Sequence, residues 1–101
     1  MNVTYHFEWF PGKAADNLRK HGIDFEQAAT VFLDPLMLTL FDTSHSDPDE
    51  ERWITLGRGE SGTLQVVVHT HQDLNEREVL IRLISARPAT KREQQTYEAG
   101  V

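Results

Sequence analysis

Val79-Leu80-Ile81-Arg82-Leu83-Ile84-Ser85-Ala86-Arg87 is the stretch on which the fold turns. It is aliphatic, with no glycine or proline inside, so it reads as a strand, and Arg82 and Arg87 set it apart from an ordinary core strand. Just after it, Thr90 and Glu93 have the spacing of a capping box, in which each side chain satisfies a backbone N–H left free in the first helical turn. A closing helix is therefore predicted over Lys91–Glu98. Upstream, Arg52–Arg58 and Thr63–His71 flank the turn Gly59-Glu60-Ser61-Gly62 and are predicted to form a hairpin. A second turn near Gln72–Glu76 leads into Val79–Arg87, so three consecutive strands make an antiparallel meander.

The N-terminal half supplies the helices. Val3, Tyr5, Phe7 and Trp9 share one face at period two, the pattern of a half-buried strand. Pro11 suits a first helical position, Ala14, Ala15 and Leu18 make a short apolar stripe, and Gly22 stands where a C-cap belongs, predicting a helix over 11–21. Asp24 and Gln27 fit another capping box, with Phe25, Ala28, Ala29 and Phe32 following at helical spacing until Asp34-Pro35 stops the helix. Leu36–Phe41 reads as a short apolar strand, and the acidic, proline-containing segment 42–51 as an exposed loop without calcium-loop spacing. The expected fold is α+β in the order β-α-α-β-β-β-β-α, with two N-terminal helices packed on a small, mainly antiparallel sheet. A single domain is expected over 1–101.

Composition narrows the classes. The chain has no cysteine, no apolar run of membrane-spanning length and no signal-peptide pattern at its start, so a cytoplasmic protein without membrane contact is expected. Its formal charge of -6 is unevenly spread: residues 1–51 hold 3 Lys/Arg against 10 Asp/Glu, whereas 52–101 hold 7 against 6. An anion site therefore belongs in the second half. A Gly-x-x-x-x-Gly-Lys-Ser/Thr phosphate-binding loop, a cysteine nucleophile and a Gly-x-Ser-x-Gly elbow are all absent from the sequence.

Strand alternation predicts that Val66 and Val68 join Ile81 and Leu83, while Val67, His69 and His71 share the other face with Leu80, Arg82 and Ile84. A half-buried Arg82 must either pair with a carboxylate or face a cleft that takes an anion, and both readings stand. His69 and His71 point the same way, which suits a general acid or base, a metal pair or ordinary packing, although no third metal ligand is evident. Lys20 and His21 end the first helix, where cations are favoured by its dipole. Arg87, Lys91 and Arg92 stand where they could contact phosphates, or simply be solvated, and Tyr97 is placed to pack on the sheet.

Taken in order, several pieces resemble the BrnT-type ribonuclease toxins of bacterial type II toxin–antitoxin systems. They are Phe7-Glu8-Trp9 with Pro11 and Lys13, Asn17-Leu18-Arg19-Lys20-His21-Gly22, Phe25-Glu26-Gln27-Ala28 and Val31-Phe32-Leu33-Asp34-Pro35-Leu36, then Glu51-Arg52, Thr55-Leu56-Gly57, Val66-Val67-Val68-His69 and Ile84-Ser85-Ala86-Arg87. Thr90-Lys91-Arg92-Glu93 and Tyr97-Glu98 extend the likeness. The resemblance implies a RelE-like toxin fold and cofactor-free, metal-independent cleavage of mRNA that inhibits translation. It also implies a DNA-binding, BrnA-like antitoxin, with DNA reached only through that complex. For such cleavage His69 would act as general base or acid, and Arg82 and Arg87 would clamp the phosphate. Lys20 and His21 would assist, and Arg52, Lys91, Arg92 and Tyr97 would hold RNA. The sequence departs from the family at Phe10, where an Asp commonly precedes the proline, leaving the first helix without its usual N-cap. A non-catalytic module of the same fold, holding an antitoxin or another acidic partner, is the alternative reading.

Overall fold

Burial along the arginine-bearing strand follows a strict alternation as far as Leu83 and then breaks, and that break organises the sheet around it. A computed structural model describes residues 2–100. In it β1 (Thr4–Glu8) is followed by α1 (Pro11–His21), α2 (Phe25–Ala29) and a 3₁₀ turn (Thr30–Leu33). Then come β2 (Leu38–Phe41), β3 (Trp53–Arg58), β4 (Leu64–His69), β5 (Gln72–Asp73), β6 (Glu78–Pro88) and α3 (Lys91–Ala99). The sheet order is β1-β6-β4-β3-β2, with β5 also paired to β6. The α+β class and the meander are as expected. β1 lies parallel to β6, so the sheet is mixed, and the second predicted turn contains the short strand β5.

Local chemistry places the helices. Pro11 starts α1 with no side-chain cap from Phe10, and Gly22 ends it at φ 70°, a left-handed conformation that glycine adopts without steric cost. The Asp24 carboxylate caps α2 by accepting from Gln27 N at 2.7 Å, but the Gln27 side chain bonds Thr30 and Ser61 instead of closing the box. α2 tightens into the 3₁₀ turn after Ala29, so the second helix is shorter than its apolar spacing predicts. The Thr90–Glu93 capping box forms in full.

Phe25, Ala28, Val31 and Phe32 pack on Val67, Val79, Ile81, Leu83 and Ala86. Each large side chain buried there contributes roughly 1.5–3 kcal/mol. A smaller cluster on the opposite face sets Tyr97 of α3 against Leu56, Leu64 and Val66. The predicted face assignment is corrected: Val67 and His69, not Val66 and Val68, lie with Ile81 and Leu83. The cause is a bulge. Val68 pairs with Ser85 and His69 with Leu83, so Ile84 is an extra residue in β6 and the alternation shifts by one beyond it.

β6 is longer than its neighbour β1, which covers only Glu78 to Arg82. Farther along, Asn17 of α1 takes the place of a strand: its amide donates to Ala86 O at 2.8 Å and accepts from Ala86 N at 2.9 Å. It also donates to Ile23 O at 2.9 Å, tying the turn between the two helices to the same point. Asn17→Ala would leave three buried backbone groups without a partner, each costing about 1–3 kcal/mol when unsatisfied. Urea denaturation is expected to show a loss of about 3 kcal/mol or more, well beyond that of an exposed control such as Asp16→Ala.

Candidate functional site

The bulge has a consequence for the two arginines of β6. Strict alternation places residues 82 and 87 on opposite faces, but the extra residue brings both to the face away from the main core, about 15 Å apart along the strand. Their surroundings differ. Arg87 makes a bidentate pair with Glu93, with both contacts at 2.8 Å, and Glu93 also accepts from Thr90 N in the capping box. The guanidinium, by hydrogen bonding, holds the Glu93 carboxyl down at about 2, and Arg87 is raised in turn. Arg87 thus locks α3 to the sheet, with both terminal nitrogens engaged in that structural role.

Arg82 faces a cleft of about 280 Å3 lined by Glu8, Glu50, Glu51, Thr70, His71 and Leu80 among others. That is small for an organic ligand and ample for a phosphate group. Its guanidinium lies 5.6 Å from the centre of the Phe10 ring, within cation–π range, and donates through Nη2 to Glu50 Oε2. Phe10, the residue that deprives α1 of an N-cap, thus supports the arginine. Glu50 Oε1 also accepts from Arg52 Nε at 3.3 Å, so one carboxylate bridges two predicted site residues. Glu50 lies 32 residues from Arg82, and nothing in the spacing of the sequence announces the contact.

Two residues farther along β6, Ile84 and Ser85 at the bulge line a second cleft with Lys13, Asp16, Asn17, Lys20 and His21 of α1. Lys20 and His21 are exposed there. Arg19 is held by Asp16 at 2.8 Å, whereas Lys13 and Lys20 have no ion-pair partner among the described residues.

His69 is placed differently from the expectation. It is fully buried, edge-on to Phe32 at 4.9 Å, and both ring nitrogens are engaged. Nδ1 lies 2.8 Å from Thr70 O, which can only accept, so Nδ1 carries the proton and Nε2 accepts from the Thr55 hydroxyl at 2.7 Å. The Thr55 oxygen in turn lies 2.9 Å from that of Thr39. Burial pushes the imidazole pKa down to about 4. Neutral, enclosed and on the face opposite Arg82, His69 has no nitrogen free for a substrate. His71 leaves the strand pattern after β4, is exposed, and lines the Arg82 cleft with Nε2 3.1 Å from Asp73 Oδ1.

The remaining predicted residues lie apart from the cleft. Tyr97 is buried, donates to Asp34 Oδ2 at 2.6 Å and carries Arg58 over its ring, so it fastens α3 to the 3₁₀ turn. The same carboxylate accepts from Arg58 N at 2.8 Å, and its other oxygen accepts from Leu36 N at 2.9 Å. Lys91 and Arg92 are exposed in the first turn of α3, which packs on β3.

A sheet with two short helices on one face, and a cationic strip at the junction of the first helix with a bulged strand, fits a ribonuclease toxin of a type II toxin–antitoxin system. The family model described as "Ribonuclease toxin, BrnT, of type II toxin-antitoxin system" matches residues 9–93, and the chain belongs to that family. Among solved structures, the fold is similar to the crystal structure of the Brucella abortus ribonuclease toxin BrnT, with a TM-score of 0.59 and 22% identity. The match covers 87% of this chain and 100% of that one. No curated protein sequence matches the chain.

The state of His69 gives a pH prediction. An imidazole whose folded pKa is near 4, against 6.5 for the free group, binds its proton more readily in the unfolded chain. Stability should be fully present above about pH 6.5 and fall as the pH drops toward 4, by on the order of 3 kcal/mol. Urea midpoints across this range should show the slope in the wild type and a weaker one in His69→Gln.

Proposed function

We propose that this toxin is an endoribonuclease that cuts mRNA without a metal or other cofactor, and that its phosphate-handling groups are Arg82, Lys20 and His21. The observation that supports this best is the convergence of the last turn of α1 on the β6 bulge, two residues along the strand from Arg82. Metal-independent cleavage requires a base for the ribose 2′-hydroxyl, cations for the charge gathering on the phosphorane, and an acid for the leaving 5′-oxygen. Arg82 supplies a planar, permanently charged donor for the phosphorane oxygens, with Arg52 beside it. Lys20 and Lys13 hold a neighbouring phosphate. Proton transfer falls to His71, which lies in the Arg82 cleft, with His21 of the second cleft as the other imidazole near the bulge.

In this reading His69 and Tyr97 stabilise the fold, Arg87 sets the angle of α3, and Lys91 and Arg92 add diffuse attraction for RNA. A cytoplasmic setting follows from the mRNA substrate, and none of the described helices is long and apolar enough to cross a membrane. The partner is a DNA-binding, BrnA-like antitoxin that covers the cationic strip, with DNA reached only through the complex. Its acidic residues would compete with RNA for Arg82.

The test is cleavage of a defined RNA by the purified chain in the presence of a chelator. Arg82→Ala should lower the rate by on the order of 10²–10³ and His71→Ala by about 10²–10⁴, while folded His69→Gln stays within a few-fold of wild type. Equal rates for wild type and Arg82→Ala would overturn the assignment.

A further inference from the structure

We propose that Glu50 is an internal stand-in for the substrate phosphate, closing the Arg82 cleft until its side chain turns away. The inference rests on reading that cleft as the phosphate site. The two oxygens of Glu50 are divided between Arg82 Nη2 and Arg52 Nε, the arrangement that two non-bridging oxygens of a phosphodiester would adopt on the same guanidinium groups. Anion and carboxylate cannot both occupy those donors.

The two arginines of β6 show why this pair is exchangeable. Glu93 is fixed by the capping box as well as by both nitrogens of Arg87, so removing it would undo the start of α3. Glu50 belongs to a loop that holds its own shape. Asp42, buried at the end of β2, accepts from Ser44 N at 3.1 Å, and its N–H donates to Arg52 O at 2.8 Å, closing the loop at its base. Ser46 Oγ donates to Asp42 O at 2.6 Å and accepts from Arg52 N at 2.8 Å. Asp47 Oδ1 accepts from Asp49 N and Glu50 N, each at 2.8 Å. None of these bonds uses the Glu50 carboxylate, so its side chain can rotate away while the loop persists. Arg82 keeps its support from the Phe10 ring when that happens. Glu8, Asp49 and Glu51 also line the cleft, but among the described ion pairs Glu50 alone reaches Arg82.

The experiment is a mutant cycle on binding of a 2′-O-methyl oligoribonucleotide, a probe with no 2′-hydroxyl to cleave, followed by fluorescence anisotropy at fixed salt. Glu50→Gln keeps the shape and removes the charge, and it should tighten binding about three- to tenfold. In an Arg82→Ala background the same change should have little effect, and Glu51→Gln, which removes an equal charge from the same loop, should tighten binding less than twofold. No tightening by Glu50→Gln, an equal gain from Glu51→Gln, or an unchanged gain without Arg82 would each overturn the proposal. Cleavage is read separately. If the cycle holds while neither wild type nor Glu50→Gln cuts RNA, the ribonuclease assignment fails and the occupied phosphate site stands.

Discussion

The primary amide of Asn17 is the constraint on which the arrangement depends. A helix laid beside a sheet edge normally leaves the edge's N–H and C=O groups exposed or unsatisfied, and an unsatisfied buried pair would destabilise the whole contact. Asn17 presents a donor and an acceptor at the spacing of a backbone peptide, so α1 can seal the part of β6 that β1 is too short to reach. Its remaining amide hydrogen fixes Ile23, the residue that leads into α2. Position and chemistry are therefore linked: once Asn17 is docked at Ala86, Lys20 and His21, one helical turn farther on, are held beside the bulge.

The bulge at Ile84 is the second constraint, because it decides which side chains share a face. Without it Arg82 and Arg87 would point to opposite sides of the sheet. Its presence also allows Val67 and His69 to lie in the core beside Ile81 and Leu83 while Arg82 faces outward. A buried imidazole next to an arginine would need both groups satisfied in one low-dielectric site, whereas the bulge separates them. His69 is left to bond Thr55 and Thr70, and Arg82 to meet solvent and carboxylates.

These two features mark the limit of what is legible in the sequence. Interactions closed within a few residues can be read directly. Gly22 caps α1, Asp24 caps α2, and Thr90 with Glu93 starts α3, because each pattern reports chemistry local to it. Order and type of elements follow from periodicity for the same reason. The site is assembled differently. A bulge adds one residue without any required side chain, so period two carries past Ile84 and places His69 on the wrong face. The pair between Glu50 and Arg82 is closed by tertiary folding alone, and an acidic loop residue looks the same in sequence whether it is solvated or bonded. The resemblance to the toxin family suggested His69, Lys20 and His21 together with both Arg82 and Arg87, and gave no means of telling the two arginines apart. Their carboxylate partners differ, Glu50 from a loop for Arg82 and Glu93 of a capping box for Arg87.

The charge balance bears on how such a protein can act on RNA. A chain with a formal charge of -6 repels a polyanion at long range, and this field is not cancelled by a few local cations. Beyond roughly 8 Å at physiological ionic strength, however, the repulsion is largely screened. Under the proposed function, productive binding must therefore arise from close contacts, with Arg82, Lys20 and Lys13 acting over distances shorter than the screening length. A surface that is repulsive at range and attractive only at contact slows non-specific association with RNA more than it weakens a well-fitted complex, because steering acts chiefly on the rate of encounter. If the Arg82 cleft takes phosphate as proposed, the acidic loop would favour discrimination over speed, and the carboxylate it places on Arg82 would be the shortest-range expression of the same effect.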